Sequence, residues 1–572
     1  MDDHPSYGIK NSCKENRKLL PTHRILSLAQ AYAEIGYYGI YNTYVNIVMF
    51  LYGVSCLLLI YSFILHTYVP DYTCDAYEKY KNSTSSTDTC IVEAKSEVQL
   101  KICEICQDQS LRFDNQTFVD LLTYKYKLYC EEEFFSKSLI ISSIHFIGII
   151  LSMPLCSFFS DRYGRWMTTN IGNIFITFLS IGLYYHSNFW QVVFIKLLTV
   201  GICFIGYNCI AMTHLEVFAS PKMKSIWGPG IYIHGPFSLF ICGLMAKYLT
   251  TWRQVQRLVI ISNMVITFLC FFVLDTPTFL LGKGRTLSAE KMMKRIGRIN
   301  LIPPTKLDFS LKPTESKYDL EKQVGFFDIW RQGKASSLLN FAVFGSYLAA
   351  YNVYWGFSLN IGKLPLNFDQ GFFITGAAGC TGALINVGMN FFSPGRRKLI
   401  QVYLTSALVS VILALVFETV GRLRCEFGSI QNIWTVLNVA ASLIGIASVQ
   451  ALWFMINFVI VELYAPQVSV TAYSWLVVFG NIGGMLGPVY YQLYNFKFWL
   501  PFSFFIITVA VCLFLSVFIP ESKGRELLLE PGEAKNRSDV HYSAVMKRLS
   551  SRISQGKQAV VYNNQGVQLR CY

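Results

Sequence analysis

Residues 139–183 read LIISSIHFIGIILSMPLCSFFSDRYGRWMTTNIGNIFITFLSIGL, which is two apolar runs joined by one short charged turn. A helix needs about 20 mostly apolar residues to cross roughly 30 Å of hydrocarbon. The full runs extend over 134–159 and 167–186, so both meet this requirement. The stretch therefore predicts two consecutive transmembrane helices with a tight turn at one membrane face.

Apolar runs of the same kind recur along the whole chain. Twelve can be delimited, at 44–66, 134–159, 167–186, 190–214, 226–247, 256–275, 337–360, 369–392, 398–420, 433–461, 470–494 and 498–519. Because this number is even, both termini return to the same side of the membrane. The sequence predicts an all-α membrane protein with about twelve transmembrane helices.

The composition agrees with lipid as the main solvent. The 572 residues are 53% hydrophobic and 15% aromatic. A net charge of +14 also fits a nucleic-acid partner, but the basic residues lie between and beyond the apolar runs, which is the positive-inside pattern. We expect the lipid bilayer as partner and no nucleic acid. Residues 1–43 are polar and the first run is long enough to span, so we expect that run to act as an uncleaved signal.

The charge pattern also divides the chain. Residues 276–336 are rich in Lys and Arg and separate two groups of six runs. The predicted organisation is listed here in chain order: a cytoplasmic N-terminal segment 1–43, a six-helix half 44–275 with a large extracellular loop 67–133, a cytoplasmic linker 276–336, a second six-helix half 337–519 and a basic cytoplasmic tail 520–572. Two packed halves of this kind are typical of secondary transporters.

The large loop carries three signs of an extracellular position. It contains two glycosylation sequons, at Asn82 and Asn115, it concentrates five cysteines, and the positive-inside pattern places the basic segments on the opposite side. The cysteines are Cys74, Cys90, Cys103, Cys106 and Cys130. Because no His cluster accompanies them, we expect disulfides rather than a redox or metal site, and we expect no bound metal.

Small residues and prolines interrupt several runs. Gly201 lies in the fourth run and Gly483 in the eleventh, and close helix packing needs such residues. In the fifth run, Gly228-Pro229-Gly230 and Gly235-Pro236 are expected to kink the helix. A kink beside a substrate cavity and a kink that only serves packing are both open at this point.

The charged turn itself is Ser160-Asp161-Arg162-Tyr163-Gly164-Arg165. It resembles the loop signature of the major facilitator superfamily, Gly-x-x-x-Asp-Arg-x-Gly-Arg. Gly164 permits the turn, Asp161 is expected to sit at a helix N-terminus, and Arg162 and Arg165 to reach acceptors on the neighbouring bundle. The resemblance implies a latch that holds the cytoplasmic side closed.

Further motifs resemble one branch of that superfamily, the organic-ion transporters of cations, anions and zwitterions. They are Gly36-Tyr37-Tyr38-Gly39, Trp252-Arg253, Tyr354-Trp355-Gly356-Phe357-Ser358-Leu359-Asn360, Glu462-Leu463-Tyr464 and Pro520-Glu521-Ser522-Lys523-Gly524-Arg525. The resemblance implies the major facilitator fold. It also implies gating roles for Glu216 at the end of the fourth helix and for Glu462, Glu521 and Arg525.

The second half departs from the family pattern. Its copy of the loop signature survives only as Gly395-Arg396-Arg397, with Phe392 and Ser393 where Asp and Arg are expected. We therefore expect the charge network of the second half to be depleted. This departure also supports an alternative function, a non-transporting relative that serves as a scaffold, receptor or subunit of a membrane assembly.

Few titratable residues lie inside the predicted helices. Lys196, in the fourth, occupies the place of a family Arg, and a charge at this depth costs about 2.5 to 3.5 kcal/mol on insertion scales, which favours a cavity-lining position. A lysine that snorkels to the interface is the alternative. His145 and His234 are the other candidates, either as cavity residues or as hydrogen-bonded structural histidines.

Aromatic and neutral residues complete the candidate cavity. Tyr347, Tyr351, Tyr354 and Trp355 recur at helical spacing on the seventh run, where they either face an organic cation or simply pack. The resemblance assigns charge selectivity to two further positions, which here are the neutral residues Asn481 and Cys380. Asn481 alternatively packs between glycine-rich helices.

Together these observations predict a secondary transporter of small organic ions or zwitterions that works by alternating access. The chain contains no phosphate-binding loop, so ATP and other cofactors are not expected. It also shows no nucleophile with a base and no paired carboxylates, so we do not expect an enzyme. Facilitated diffusion or exchange is the simplest mode, at the plasma membrane with both termini cytoplasmic.

Overall fold

The structure is a computed structural model. It describes residues 24–36, 39–66, 72–75, 102, 104–105, 112–113, 121–128, 137–217, 233–282, 284–311, 326–331, 333–361, 368–393, 395–424, 432–464, 466–523 and 538–547. Within these residues the chain is helical almost throughout. The predicted glycosylation sites Asn82 and Asn115, and Arg525 of the predicted gate, lie outside the described residues.

The helices are numbered here in chain order. In the first part of the chain they are α1 (Leu28–Ile35), α2 (Ile40–His66), α3 (Leu122–Tyr126), α4 (Lys137–Tyr163), α5 (Arg165–Tyr184), α6 (Phe189–Val217), α7 (His234–Tyr248), α8 (Trp252–Cys270), α9 (Pro277–Gly282) and α10 (Thr286–Ile299). In the second part they are α11 (Lys334–Ile361), α12 (Phe368–Phe392), α13 (Arg396–Leu423), α14 (Ile433–Leu463), α15 (Pro466–Phe496) and α16 (Trp499–Leu515).

Twelve of the helices in the described part of the chain match the twelve predicted apolar runs. They are α2, α4 to α8 and α11 to α16. By length and composition alone, eight of the described helices are long and apolar enough to cross a membrane. The other four, α5, α7, α8 and α11, do not meet this criterion within the described residues.

The twelve helices form two bundles of six. In the first half α4, α5 and α6 pack on one another and α2 packs against α7 and α8, while in the second half α13 packs on α14 and α11 on α14, α15 and α16. The most extensive contacts between the halves are those of α4 with α15 and of α7 with α12. This is the two-half major facilitator arrangement. We call the end at which α4 is followed by α5 the turn end, and the end at which α2 leads into the large loop the loop end.

Glycines set the closest helix contacts. A Cβ on Gly483 would lie 2.4 Å from the backbone oxygen of Leu348, so α15 and α11 touch through their main chains at this point. A Cβ on Gly201 would lie 2.7 Å from the backbone oxygen of Gly148, between α6 and α4. These contacts are shorter than any larger residue permits, as expected for small-residue packing between transmembrane helices.

The described part of α7 begins at His234, so the turn before Pro236, in which a proline kink would lie, is outside the described residues. The expected kink at Gly235-Pro236 stays a prediction. The second predicted kink, at Gly228-Pro229-Gly230, lies outside the described residues.

Residues from the N-terminal segment and from the linker form one small unit. Strand β1 (Arg24–Leu26) pairs in parallel with a strand of the linker, Phe309–Leu311. Helices α1 and α10 cover this pair with a shared apolar core. Asn300 fastens the unit to the start of α2: its Oδ1 accepts from the Tyr41 amide at 2.9 Å. A Cβ on Gly39 would lie 2.0 Å from the Asn300 side chain, so the final glycine of the Gly36–Gly39 motif is required by this contact.

The described parts of the large loop lie over the first half. Strand β2 (Tyr72–Thr73) pairs antiparallel with β3 (Arg112–Phe113). The linker strand Phe309–Leu311 is the fourth strand in chain order and is called β4. Helix α3 packs its buried leucine, Leu122, among residues at the loop end of the bundle. Cys74 is disulfide-bonded, whereas Cys90, Cys103, Cys106 and Cys130 lie outside the described residues.

Candidate functional site

Aromatic side chains fill the contact between the two halves toward the loop end. The Tyr61 hydroxyl of α2 lies 3.2 Å from the Tyr354 hydroxyl of α11, and the Phe146 ring of α4 lies 5.3 Å from the Trp355 ring. Both pairs join one half to the other. The predicted aromatic face of α11 therefore points at the first half and not at lipid.

A second layer of rings supports this contact. Trp453 of α14 lies 4.5 Å from the Tyr351 ring and 5.7 Å from the Tyr347 ring, measured between centroids. We call Tyr61, Phe146, Tyr347, Tyr351, Tyr354, Trp355 and Trp453 the aromatic cluster. The sequence interpretation found four of these residues; it missed Tyr61, Phe146 and Trp453, which come from three other helices and share no spacing that a single sequence displays.

Asn481 of α15, the first of the two neutral residues at the selectivity positions of the family, lies beside the aromatic cluster. Asn481 is buried, and its Nδ2 donates to the Val477 carbonyl of its own helix at 2.8 Å. The neighbouring Gly480 packs on the Tyr347 and Tyr351 rings and Gly484 on the Phe146 ring. Asn481 thus lies beside the cluster while its amide group is held by α15, which is compatible with both interpretations of this residue.

Cys380 is placed elsewhere. It is partly exposed on α12, a helix that packs against α7 and α14. Its neighbour Gly379 lies against Pro236, at the second contact between the halves. The two neutral positions therefore sit at different helix contacts.

Two of the predicted polar residues lie next to the aromatic cluster. The His145 ring is 6.0 Å from the Trp355 ring, and within the described residues neither ring nitrogen of His145 has a hydrogen-bond partner. Lys196 is buried between α6 and α2, where its Nζ donates to the Leu59 carbonyl and lies 4.5 Å from the Phe63 ring centroid. Lys196 does not snorkel to an interface, because its side chain is 2% exposed.

His234 lies apart from that group. As the first residue of α7, it contacts the Tyr207 hydroxyl through Nε2 at 3.2 Å, and it packs on Gly53. This agrees with a hydrogen-bonded structural histidine.

The structure buries further titratable groups that the sequence interpretation did not single out. His66 and His214 are also buried, and Glu418 of α13 is completely buried. The Glu418 carboxylate pairs with Arg422 at 3.0 Å and accepts a hydrogen bond from Tyr494, so it is held in a local network of the second half. A Glu and an Arg one helical turn apart were readable in the sequence as an ion pair.

At the turn end of the first half, the charged turn has the predicted glycine. Gly164 has a φ of +92°, a conformation that favours glycine, and its position lets α5 begin directly after α4. Arg165 is buried, whereas Arg162 is exposed and lies over the Phe158 ring. The side chains of Asp161 and Glu216 are outside what the structure describes.

An acid from after α8 caps the N-terminus of α5. Asp161 belongs to the last turn of α4, and it is Asp275, after α8, whose Oδ1 accepts from the Trp166 amide at 2.9 Å. A carboxylate at this position satisfies an unpaired helix N–H and interacts favourably with the helix dipole. The side chain of Asp161 lies outside the described residues, so its expected place at a helix N-terminus stays a prediction.

The second half contains the matching arrangement. Glu521, after α16, accepts from the amides of Arg396 at 2.6 Å and Arg397 at 3.3 Å at the start of α13. The Arg396 guanidinium pairs with Glu462 at 3.5 Å, and Ser522 donates to the same carboxylate at 2.5 Å. The expectation of a depleted charge network in this half is contradicted by these bonds. The Asp and Arg of the loop signature are still absent at Phe392 and Ser393, but Arg396 forms a network with the acids Glu462 and Glu521.

The two halves thus have the same helix-capping arrangement at the turn end. In each, an acid that follows the sixth helix of the half caps the third helix beside a buried arginine, Arg165 or Arg396. Nearby, Asn208 of α6 donates to Ser474 of α15 at 3.2 Å, and this bond links the halves toward the turn end. The Tyr61–Tyr354 contact links them toward the loop end.

A small polar cavity lies inside the first half. Tyr52, Ser55, Asn173 and Asn263 line about 10 Å³ of space for the centre of a water molecule. This is room for about one water. The cavity is too small for an organic solute and is closed by hydrogen bonds such as Tyr52 to Asn173 at 2.7 Å.

Comparisons with known proteins extend this description. A family model described as "Sugar (and other) transporter" matches residues 72–530. The chain is 22% identical over 443 residues to solute carrier family 22 member 16 of Bos taurus, with 74% of this chain and 72% of that protein covered. It is 20% identical over 431 residues to organic cation/carnitine transporter 2 of Mus musculus, with 74% and 72% covered.

Solved structures resemble the chain in fold. The proton:xylose symporter XylE of E. coli superimposes with a TM-score of 0.58 at 14% identity, over 85% of this chain and 98% of XylE. The human organic anion transporter MFSD10 gives a TM-score of 0.51 at 13% identity, over 83% of this chain and 99% of that one. Both matches confirm the predicted major facilitator fold.

Proposed function

Because the chain belongs to the sugar (and other) transporter family, a family of secondary transporters in the major facilitator superfamily, we propose that it carries small organic ions or zwitterions by alternating access. The single observation that carries the substrate class is the aromatic cluster at the contact between the halves. Ring faces bind the apolar bodies of organic solutes and attract cationic groups. The names of the relatives, one an organic cation/carnitine transporter, agree with this class.

The proposed mechanism uses the two contacts between the halves. Separation at Tyr61 and Tyr354 opens the aromatic cluster toward the loop end, and separation at Asn208 and Ser474 opens it toward the turn end. The hydrogen bond at each contact is worth about 0.5–1.5 kcal/mol net, so neither bond locks the halves by itself. The helix caps formed by Asp275 and Glu521 keep each half rigid while the halves move.

The gating residues fit this mechanism in two groups. Arg162, Gly164 and Arg165 shape the turn of the first half, and Glu462 and Glu521 hold the start of α13 in the second. We assign Asp161, Glu216 and Arg525 to the same gate from the family motif alone. The family match and the relatives give no support to a non-transporting scaffold.

We further propose a plasma-membrane location with the turn end in the cytoplasm and the large loop outside. The basic linker and basic tail adjoin the turn end, as the positive-inside pattern requires. In this orientation 1–43, 276–336 and 520–572 are cytoplasmic, and Asn82 and Asn115 are available for glycosylation.

Uptake into proteoliposomes tests the proposal. Purified protein is reconstituted and supplied with radiolabelled tetraethylammonium, carnitine and hippurate, which carry a positive charge, both charges and a negative charge. We expect saturable, ATP-independent uptake of at least one solute, absent from protein-free liposomes. Rates equal to those of empty liposomes for every solute would contradict the proposal.

A further inference from the structure

Lys196 has an incomplete set of partners. Its ammonium group carries three N–H donors, and the bond it makes within the described residues goes to the Leu59 carbonyl. The side chain is 2% exposed, and no ion pair joins it to a carboxylate of the described residues. A buried ammonium in apolar surroundings is costly unless a counter-charge accompanies it.

Two histidines with free ring nitrogens flank this lysine. His66 is 1% and His145 7% exposed, and all four of their ring nitrogens lack a hydrogen-bond partner within the described residues. The Phe63 ring links the group, because Lys196 Nζ lies 4.5 Å from its centroid and the His66 ring 5.9 Å from it. The His145 and His66 rings each interact electrostatically with Lys196, so three buried nitrogen-bearing side chains with spare hydrogen-bonding capacity lie near one another on α2, α4 and α6.

Lys196, His66 and His145 lie next to the contact between the two halves. His145 contacts Trp355 of the second half, and Leu59, which binds Lys196, lies two residues from Tyr61, the residue that contacts Tyr354. Separation of the halves at this point would uncover the His145 side of the group together with the aromatic cluster. A solute bound there meets ring faces and an uncompensated positive charge at once.

We propose that Lys196, His66 and His145 form an anion subsite that takes the carboxylate of an organic acid or zwitterion, whose apolar body lies on the aromatic cluster. This rests on the proposed function and narrows it to solutes that carry a carboxylate. The carboxylate supplies the counter-charge that Lys196 lacks, and the histidines add N–H donors. Asn481 and Cys380, at the selectivity positions of the family, are neutral, whereas Lys196 is a buried cationic side chain bound to Leu59, two residues from Tyr61 of the cluster.

The test compares hippurate with hippuramide, in which a neutral amide replaces the carboxylate. We expect unlabelled hippurate to inhibit radiolabelled hippurate uptake at concentrations at least tenfold lower than hippuramide does. We also expect hippurate, and not hippuramide, to raise the melting temperature of the purified protein. This comparison uses the wild-type chain and so does not depend on the folding of any variant.

Variants then assign the effect to the subsite. Lys196→Met should weaken hippurate binding about tenfold to a hundredfold, the range for one charge-assisted hydrogen bond, while Lys196→Arg retains it. Lys247→Met removes an exposed lysine of α7 and should leave binding unchanged. A purely structural Lys196 predicts a lower melting temperature for ligand-free Lys196→Met with a normal hippurate response. The anion subsite predicts an unchanged or higher melting temperature and a lost response.

The outcomes separate this inference from the proposed function. Uptake of tetraethylammonium without charge-dependent binding of hippurate would preserve the transporter and overturn the anion subsite. Charge-dependent stabilisation by hippurate without uptake of any solute would support the subsite and overturn transport. Equal potency of hippurate and hippuramide, or unaltered hippurate binding in Lys196→Met, would also overturn the subsite.

Discussion

Replacement of Arg396 by Ala should destabilise the second half strongly. The guanidinium side chain is 5% exposed and Glu462 20%, and their closest nitrogen and oxygen lie 3.5 Å apart. At an effective dielectric constant of about 20, two unit charges at this distance attract by about 5 kcal/mol before desolvation. Arg396 also stacks on Phe458 at 4.5 Å, so the substitution removes packing as well as charge.

Desolvation offsets most of this attraction, so the coupling between the two residues is smaller than the Coulomb energy. We expect Arg396→Ala to cost about 3–5 kcal/mol, because it leaves the Glu462 carboxylate without its counter-charge. A double-mutant cycle with Glu462→Gln should give a coupling energy of about 1–3 kcal/mol. The exposed neighbour Lys398 provides the control, since Lys398→Ala removes one positive charge from the same turn of α13.

The free energy of unfolding is measured for the four proteins of the cycle and the control, from the loss of helical circular dichroism as sodium dodecyl sulfate is titrated into detergent micelles. A coupling energy below about 0.5 kcal/mol, or equal effects of Arg396→Ala and Lys398→Ala, would refute the assignment of Arg396 and Glu462 to one network. It would also restore the interpretation of the second half as depleted in charge.

Three further predictions concern packing, selectivity and topology. Gly483→Ala should lower stability by about 1–3 kcal/mol, because its Cβ would lie 2.4 Å from a backbone oxygen, whereas Gly388→Ala, with open space around it, should be neutral or stabilising in the same unfolding titration. Asn481→Asp should favour tetraethylammonium over hippurate in uptake, and Asn481→Arg the reverse; an unchanged preference in both folded variants would remove Asn481 from the site. Asn82→Gln and Asn115→Gln should each increase gel mobility after expression in a glycosylating cell, and glycosidase should abolish the difference, whereas a wild-type band that glycosidase leaves unshifted would contradict the external loop.

The long helices were predictable because their cause is local. A run of about 20 apolar residues has one stable conformation in lipid, so α2 or α14 follows from its own residues. The turn at Gly164 was predictable for the same reason, since the need for a positive φ is confined to one residue. The aromatic stripe of α11 was visible as a periodicity, although its partner was not.

The tertiary pairings could not be predicted from one sequence. Asp275 caps a helix that begins 110 residues earlier, and Glu521 one that begins 125 residues earlier, so neither contact leaves a local pattern. The depleted copy of the motif at Phe392 and Ser393 was therefore misleading. The position of Trp453 in the aromatic cluster depends in the same way on how α14 packs against α11.

The packing of the N-terminal segment on the linker was missed for a related reason. Strand β1 has three residues and pairs in parallel with β4, which lies almost 300 residues later. A three-residue strand has no alternation that a sequence pattern can detect. Asn300, which fastens the unit to α2, is one of many surface-type residues in the linker and carries no signal of its own.

The central claim is that the two halves carry carboxylate-bearing solutes by alternating access. Counterflow tests this claim most directly. Proteoliposomes are loaded with a high concentration of unlabelled hippurate and diluted into a trace of radiolabelled hippurate. A carrier whose site faces one side at a time exchanges label for unlabelled solute, so the account predicts transient accumulation of label inside above its outside concentration, reduced about tenfold or more in Lys196→Met. Label that rises only to the outside concentration, at the rate of protein-free liposomes, would contradict it.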